Sequence, residues 1–445
     1  MIAMGVFDQV GAGKESDAGG APKPGFFAAL EVGTSKTVCF IVKSEATLAG
    51  SRLRVVGVGH HSSRGVRGGT IVDMDAAEQS IRTSVENAER MAGHAVSEVT
   101  LVTAAGGLGS RRFGVDAPLS GREVADRDLR RALREGLQTY FEPGRVMLHA
   151  IPLGWRVDNH RGVRDPRGMF GRELGVDLHI VTAAVEPLRN LTTCVERCRL
   201  SIAGIVATPY ASGLATLVED ELLLGAMVID MGSNTTSVGV FNEGSLIHVD
   251  GVPIGGAHVT SDIARGLSTP MSAAERIKVL YGSALDSPDD DQVMIETPPV
   301  AGDADSTMVQ QPRALLNSII RPRLEEVFEL IRDRLDSAGV SKAAGRRLVL
   351  TGGAAQLPGA AELAGRILSK QVRLGKPSGL AGLGDAVSGP AFSACAGVIV
   401  RRSRGTAEAI SGPPPLNAAG ERRLRHSAGG ERGPKAILRW FAESF

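Results

Sequence analysis

The chain has 445 residues, 43% hydrophobic and 22% charged, with a net charge of +1. That length is too great for one core, so two or more domains are expected, and near-neutrality without a basic stripe through the body gives no reason to expect a nucleic-acid partner. Four cysteines, Cys39, Cys194, Cys198 and Cys395, are too few for a disulfide scaffold and fit a reducing compartment; Cys194 and Cys198 share a helix face, but no second pair has metal-site spacing.

The first 25 residues lack the continuous apolar core of a signal peptide, and nowhere do ~18 apolar residues run together, so a chain neither exported nor membrane-spanning is expected. From Phe26 onward short β-branched runs alternate with helical segments, which reads as an α/β fold. FFAALEV, TVCFIV and LRVVGVG are three consecutive strands. A helix over residues 75–92 follows, with Ile81, Val85 and Ala88 on one face and Gly93 as its stop, and then the strand VTLVT at 99–103. Residues 104–181 interrupt the pattern with an Arg- and Gly-rich stretch, a charged helix over 126–137 and the strand LGVDLHIVTAAV. They read as an inserted small α/β subdomain. Alternation resumes with a helix over 187–198, the strand IAGIVAT, a helix across 210–222 and the strand AMVIDMG.

An internal near-repeat follows. LEVGTSKTVCFIV (30–42) and IDMGSNTTSVGVF (229–241) superpose at a constant offset: acid, apolar residue, Gly, hydroxyl residue, two variable positions, Thr, then a strand. Two such units point to a duplicated core. In each, a glycine after a buried strand lets backbone approach a ligand, and successive turn N–H groups form an anion nest. The acid two residues earlier is placed to hold Mg²⁺ through water. A single strand-Gly-turn-strand is also how any tight hairpin reads; the pair carries the argument. RRLVLTGGAAQLPGAAEL is another buried strand entering Gly352 and Gly353. AAERIKVLYG is a helix with Glu275 and Lys278 at i,i+3, a spacing also common on solvated helices.

The segments ALEVGTSK (29–36), VIDMGSNTTSVGVF (228–241) and VLTGGAAQLPG (349–359) resemble the phosphate-1, phosphate-2 and adenosine motifs of the actin-like ATPases. SRGVRGGTIVDMD, HAIPLGWRVD and IIRPRLEEVFELIRDRL narrow the resemblance to the bacterial cell-division family FtsA, over most of 26–400. This implies an α/β, actin-like two-lobed ATPase fold with an inserted small α/β subdomain in the first lobe. Residues 26–103 with 182–208 and 393–400 would form the first actin-like subdomain, 104–181 the insert, 209–255 with 322–392 the second, and 256–321 a distal subdomain. The resemblance further implies ATP and Mg²⁺ in the cleft. Gly33, Thr34, Ser35 and Lys36 hold one side of the phosphates and Gly232, Ser233, Asn234 and Thr235 the other. Gly352 and Gly353 lie under the adenosine, Glu275 and Lys278 reach the ribose and adenine, and Glu31 and Asp230 are the metal-side carboxylates. The second phosphate loop departs from the family's Asp-x-Gly-Gly-Gly-Thr-x-Asp. Asn234 tolerates left-handed backbone, so binding is expected to persist, whereas Ser237 in place of an acid points to weak or absent hydrolysis.

The family's partners are the C-terminal peptide of the tubulin-like FtsZ, further copies in actin-like filaments, later division proteins at the insert, and anionic inner-membrane lipid. Asn317, Arg321 and Arg323 in the distal region are the expected peptide contacts. After a disordered extension over 1–25 and the body, residues 401–434 read as a flexible linker with seven arginines against three glutamates, its ends roughly 30 Å apart. In KAILRWFAESF (435–445), Ile437, Leu438, Trp440, Phe441 and Phe445 fall within an arc of about 160° on a helix, opposite Lys435, Arg439 and Glu443. Such a helix either docks on the fold or lies in an anionic membrane surface with Arg439 at the headgroups; the linker, the Arg excess and the family's own ending favour the membrane. A peripheral protein on the cytoplasmic face of the inner membrane at the division site is the expectation. The alternatives on the same superfold are a PilM- or MreB-like adaptor and a small-molecule kinase; a kinase needs a cleft base that the sequence does not offer.

Overall fold

The computed structural model describes residues 25–47, 50–300, 308–404 and 408–409. The extension before residue 25, nearly all of the linker and the whole of 435–445 lie outside them.

The first lobe opens with three antiparallel strands, β1 (Gly25–Val32), β2 (Lys36–Thr47) and β3 (Gly50–Ser62), then a small hairpin of β4 (Val66–Arg67) and β5 (Thr70–Ile71). The helix α1 (Met74–Ala92) returns the chain to β6 (Glu98–Thr103), which lies parallel to β1. Ile81, Val85 and Ala88 face the sheet. Asp73 caps the helix by accepting from the Ala76 N–H, worth about 1 kcal/mol, and Gly93 ends it with φ 64°. The helix lies unusually close to β3: a Cβ on Gly59 would sit 1.7 Å from the Ser84 carbonyl oxygen.

Between β6 and the next strand of this sheet the chain builds a separate layer. The strands β7 (Gly109–Pro118), β8 (Arg145–Val157), β9 (His160–Val163) and β10 (Glu173–Ala184) form an antiparallel sheet in the order β7-β10-β8-β9, covered by α2 (Asp126–Thr139). Its own core of Leu129, Leu133, Trp155, Leu174, Val176 and Leu178 identifies it as an independent packing unit. From β10 the chain runs through α3 (Val185–Arg197) into β11 (Ser201–Ala207), completing the five-stranded order β11-β6-β1-β2-β3.

The 210–222 region, read from sequence as one helix, is two: α4 (Thr208–Thr216) and α5 (Glu219–Leu224). Leu217 turns extended, and the Glu221 carboxylate accepts from the Val218 N–H while pairing with Arg373, so the chain restarts a helix there.

The second lobe repeats the first. Antiparallel β12 (Ala226–Met231), β13 (Thr236–Asn242) and β14 (Ser245–Val252) precede helices α6 (Gly256–Gly266) and α7 (Met271–Tyr281), a hairpin of β15 (Met294–Thr297) and β16 (Val309–Pro312), and the long α8 (Arg313–Ser337). Then β17 (Arg347–Thr351) pairs parallel with β12, α9 (Ala360–Leu368) crosses over, and β18 (Gln371–Leu374) closes the order β14-β13-β12-β17-β18. Outward from the central strand of each lobe, β1 or β12, two successive antiparallel pairings run to one side and two parallel pairings to the other. The boundary drawn at 321/322 falls inside α8, which stays continuous through Pro322 because Leu316, Ile320, Leu324, Val327, Phe328 and Ile331 keep one buried face.

The last described helix, α10 (Ser393–Arg404), packs between the lobes against α4. Their backbones nearly touch: a Cβ on Gly397 would lie 1.8 Å from the Ala211 carbonyl oxygen. The linker read from residue 401 therefore begins too early. α10 continues through Arg404, and the Glu408 side chain is buried, its carboxylate held by Arg401 and His149.

Candidate functional site

The two near-repeats form the same turn. At the first, the Gly33 N–H donates to the Lys36 carbonyl at 3.0 Å; at the second, the Gly232 N–H donates to the Thr235 carbonyl at 2.9 Å. Each closes a tight hairpin, β1 to β2 and β12 to β13, whose last paired residues are Val32 with Thr37 and Met231 with Thr236. An added Cβ would sit 3.1 Å from Lys36 O at Gly33 and 2.9 Å from Thr235 O at Gly232, so a side chain at either position would press on the turn's own backbone. Thr34, Ser233, Asn234 and Thr235 are partly exposed and Ser35 is exposed. Asn234 does not use left-handed backbone, so the tolerance expected of it is not needed.

The hairpins meet other predicted residues at close range. Gly352, with φ 90°, follows β17 and abuts the second hairpin: a Cβ there would be 2.6 Å from Asp230 Oδ1 and 2.5 Å from Met231 O. Gly353 beside it is exposed. On the other side, the Gly256 N–H donates to Gly232 O at 3.0 Å and the Ala257 N–H to Ser233 O at 2.7 Å, placing the start of α6 on the loop. Lys278 of α7 reaches back to Gly256 O at 3.1 Å and to Glu275 at 2.7 Å. Lys278 thus joins the second loop, while Glu275 stays more exposed and accepts from Thr260.

Three charged side chains line the space between the lobes. Lys36 Nζ lies 4.5 Å over the Phe392 ring and 3.9 Å from Glu31 Oε2, contacts that an aromatic face and a carboxylate both favour. Neither Lys36 Nζ nor Glu31 Oε2 has a hydrogen-bond partner, although both atoms are buried. Leaving such groups unpaired is costly, so they fit a site completed by a ligand. Asp230 accepts from the Ser212 hydroxyl of α4. Burial pushes its carboxyl up to about 6 against the pull of Ser212, with Glu31 raising it further and Lys36 lowering it. A buried acid held uncomfortably as an anion suits a cation, and Asp230 with Glu31 fits a magnesium ion held through water; the described residues contain no group of three or more His, Cys, Asp or Glu side chains that would bind a metal alone. Ser237 is buried directly opposite Asp230 in the β12–β13 ladder and places no charge there.

Sequence reasoning missed Ser212, Phe392 and the pair Gly255 and Gly256. The glycine pair had a signal, two adjacent glycines at the start of a helix. A Cβ on Gly255 would lie 2.5 Å from Gly232 O, so only glycine permits the contact.

The expected partner residues divide. Asn317 is 1% exposed and is spent internally, its amide donating to Asp290 at 2.8 Å and its carbonyl accepting from the Ser283 N–H at 2.9 Å. It is a structural residue, not a peptide contact. Arg321 pairs with Asp286 and Glu325, and Arg323 with Asp262 and Glu326. Nearby, Val279, Leu280 and Tyr281 of α7 are exposed, an apolar strip that the sequence reading passed over. The membrane residues Ile437, Leu438, Arg439, Trp440, Phe441 and Phe445 lie outside the described residues. Among the described ones, no helix is long and apolar enough to cross a membrane.

A family model described as cell division protein FtsA matches residues 227–397, and one described as the SHS2 domain inserted in FtsA matches 107–182. The chain is 46% identical to the cell division protein FtsA of Rhizobium meliloti over 378 residues, covering 83% of this chain and 86% of that one. It is 34% identical to the protein of the same name from Pseudomonas aeruginosa, covering 86% and 91%, and 31% identical to that of Escherichia coli K12, covering 83% and 88%. Among solved structures, a PilM-PilN type IV pilus biogenesis complex aligns at TM-score 0.60 with 17% identity, covering 85% of this chain and 98% of that one. MreB5 of Spiroplasma citri bound to ADP aligns at TM-score 0.50 with 11% identity, covering 85% and 97%. These two establish the actin-like fold.

Proposed function

This chain belongs to the FtsA family of cell-division proteins, and from that premise we propose that it is an ATP-binding actin-like adaptor that attaches the FtsZ ring to the inner membrane and assembles with its own copies. The observation that carries the nucleotide half is the pair of matched turns, with Lys36 and Glu31 lacking hydrogen-bond partners and the buried Asp230 carboxyl between them. In this reading the backbone N–H groups of 33–36 and 232–235 hold the phosphates, Lys36 supplies a positive charge, and Lys278 and Gly352 border the nucleoside. Glu31 and Asp230 hold Mg²⁺ through water, and the ion neutralises phosphate charge when bound. Turnover is slow, below ~1 per second, because the buried Ser237 supplies no carboxylate to orient a water.

The adaptor half rests on the family and on KAILRWFAESF. The tail lies in the membrane interface on the cytoplasmic side at the division site, the FtsZ peptide docks on the distal subdomain beside Arg321 and Arg323, and later division proteins bind the insert. Sedimentation with anionic liposomes, with and without ATP and purified FtsZ, tests it. The full chain should pellet with vesicles and bring FtsZ with it, and deletion of 435–445 should release it while ATP and FtsZ-peptide binding remain. A deletion that precipitates the core, in a protein whose full chain never bound vesicles, would instead make the tail a docked structural helix.

A further inference from the structure

Beyond α10 the chain does not leave the fold at once. The Glu408 carboxylate is 4% exposed and accepts from Arg401 Nε at 2.9 Å, Arg401 Nη2 at 2.6 Å and His149 Nδ1 at 2.9 Å. His149 sits on β8 of the insert, and its Nε2 accepts from the Ala207 N–H at 3.0 Å, which leaves the ring proton on Nδ1 facing Glu408. One residue on, the Ala409 N–H donates to Ala150 O at 2.7 Å, and Ala409 packs against the core of the insert. Burial works to raise the Glu408 carboxyl, but the Arg401 charge and His149 overcome it and hold it at about 2. The carboxylate is therefore a committed buried anion, not a surface charge resting on its neighbours.

The same cluster reaches the cleft. Ala207 caps the start of α4. Tyr210, in the first turn of α4, meets the His149 ring edge-on at 5.0 Å and hydrogen-bonds Arg401. Two residues further along α4, Ser212 donates to Asp230. One short helix thus touches the buried root of the tail at its beginning and the metal-side carboxylate in its middle, and α10 is pressed against it at Gly397.

We propose that Glu408 and Ala409 form a clasp that fixes the root of the C-terminal tail to the insert, and that closing this clasp and filling the cleft with magnesium–nucleotide favour one another through α4. The second half rests on the nucleotide reading above; the first does not. With the clasp closed the tail departs from β8 of the insert, so whatever binds the tail acts on the insert and on α4. Because linkage is reciprocal, a nucleotide that prefers the α4 position set by Tyr210 and Ser212 must also tighten Glu408.

Hydrogen exchange by mass spectrometry on the full chain, with and without Mg-ATP, together with calorimetric ATP titration, tests both halves. Glu408→Gln leaves the part-buried Arg401 charge without its counter-ion and should cost the amides around 149–151 and 409 roughly 100-fold or more in protection. The double variant Glu408→Gln with Arg401→Met removes the stranded charge and should recover most of it, which a simple packing defect would not. In the wild type, Mg-ATP should raise protection at 409, and Glu408→Gln should weaken ATP by a similar factor, about 5-fold or more. If Glu408→Gln does not fold, Ala409→Pro removes the bond to Ala150 and constrains the backbone of 408–409 without touching the Arg401 ion pair, and should give the same direction of change at 149–151. Unchanged protection in the variant overturns the clasp. Lost protection with unchanged ATP affinity overturns the coupling, and a wild type that gives no ATP heat overturns it through the nucleotide reading, with the protection contrast still deciding the clasp.

Discussion

Glu31 and Asp230 occupy the same place in their lobes, the next-to-last residue of a central strand with an antiparallel neighbour on one side and a parallel one on the other. Their surroundings differ. Glu31 is partly exposed and looks toward Lys36, whereas Asp230 is buried against Ser212 and the Gly352 turn. The first hairpin brings a cation into the cleft. The second brings hydroxyls, an amide and an acid that burial makes reluctant to ionise. Duplication preserved the turn, which backbone hydrogen bonds dictate, and left charge free to diverge, since the hairpin geometry does not depend on it.

The largest expected effect breaks the second side of that comparison. Gly352→Val places a branched side chain at φ 90° against Asp230 and Met231, and should cost about 4 kcal/mol or more in chemical denaturation. Stability within 1 kcal/mol of wild type would mean that the Gly352 turn is not tightly seated on the β12–β13 hairpin.

Asp230→Asn sharpens the contrast in charge. The native carboxyl, at about 6 against a usual 3.8, binds its proton more readily than the unfolded chain does. Its favourable contribution is therefore complete below ~4 and lost as pH rises through about 6, so ionised Asp230 costs the nucleotide-free protein on the order of 3 kcal/mol at pH 8. The amide should stabilise the protein by up to that amount at pH 8 and by little at pH 4, while weakening magnesium-dependent ATP binding. A gain equal at both pH values would remove the ionisation argument.

Gly33→Val acts on the first hairpin, where φ is not left-handed and the nearest atom to a Cβ is 3.1 Å away. The fold should survive by far-UV circular dichroism, while ATP affinity falls at least 100-fold, about 2.7 kcal/mol. Unaltered affinity by calorimetry would take the phosphates out of this turn. The smallest effect concerns the distal surface: Arg321→Glu or Arg323→Glu breaks part-exposed ion pairs and should change stability by about 1–2 kcal/mol. Either should weaken capture of the FtsZ C-terminal peptide without touching liposome binding, and parallel loss of both would indicate misfolding.

Periodicity and turn chemistry are local, so the amino-acid sequence by itself determined the strands, α1 with its Gly93 stop, the inserted layer and the matched loops at Gly33 and Gly232. The repeat was legible because each half must satisfy the same backbone bonds. Burial and long-range pairing are not local. Asn317 looked like a surface amide on a helix until Asp290 and Ser283 closed over it. Residues 401–409 looked like linker because one buried glutamate has no periodic signature; its partners, Arg401 and His149, are separated by 252 residues along the chain and meet only where α10 crosses to the insert. Ser212, Phe392 and Gly255 are distant from the loops they serve and carry no motif of their own. Only the tertiary structure decided their roles, because a hydroxyl, a ring or a missing Cβ gains meaning from the charge or backbone brought beside it.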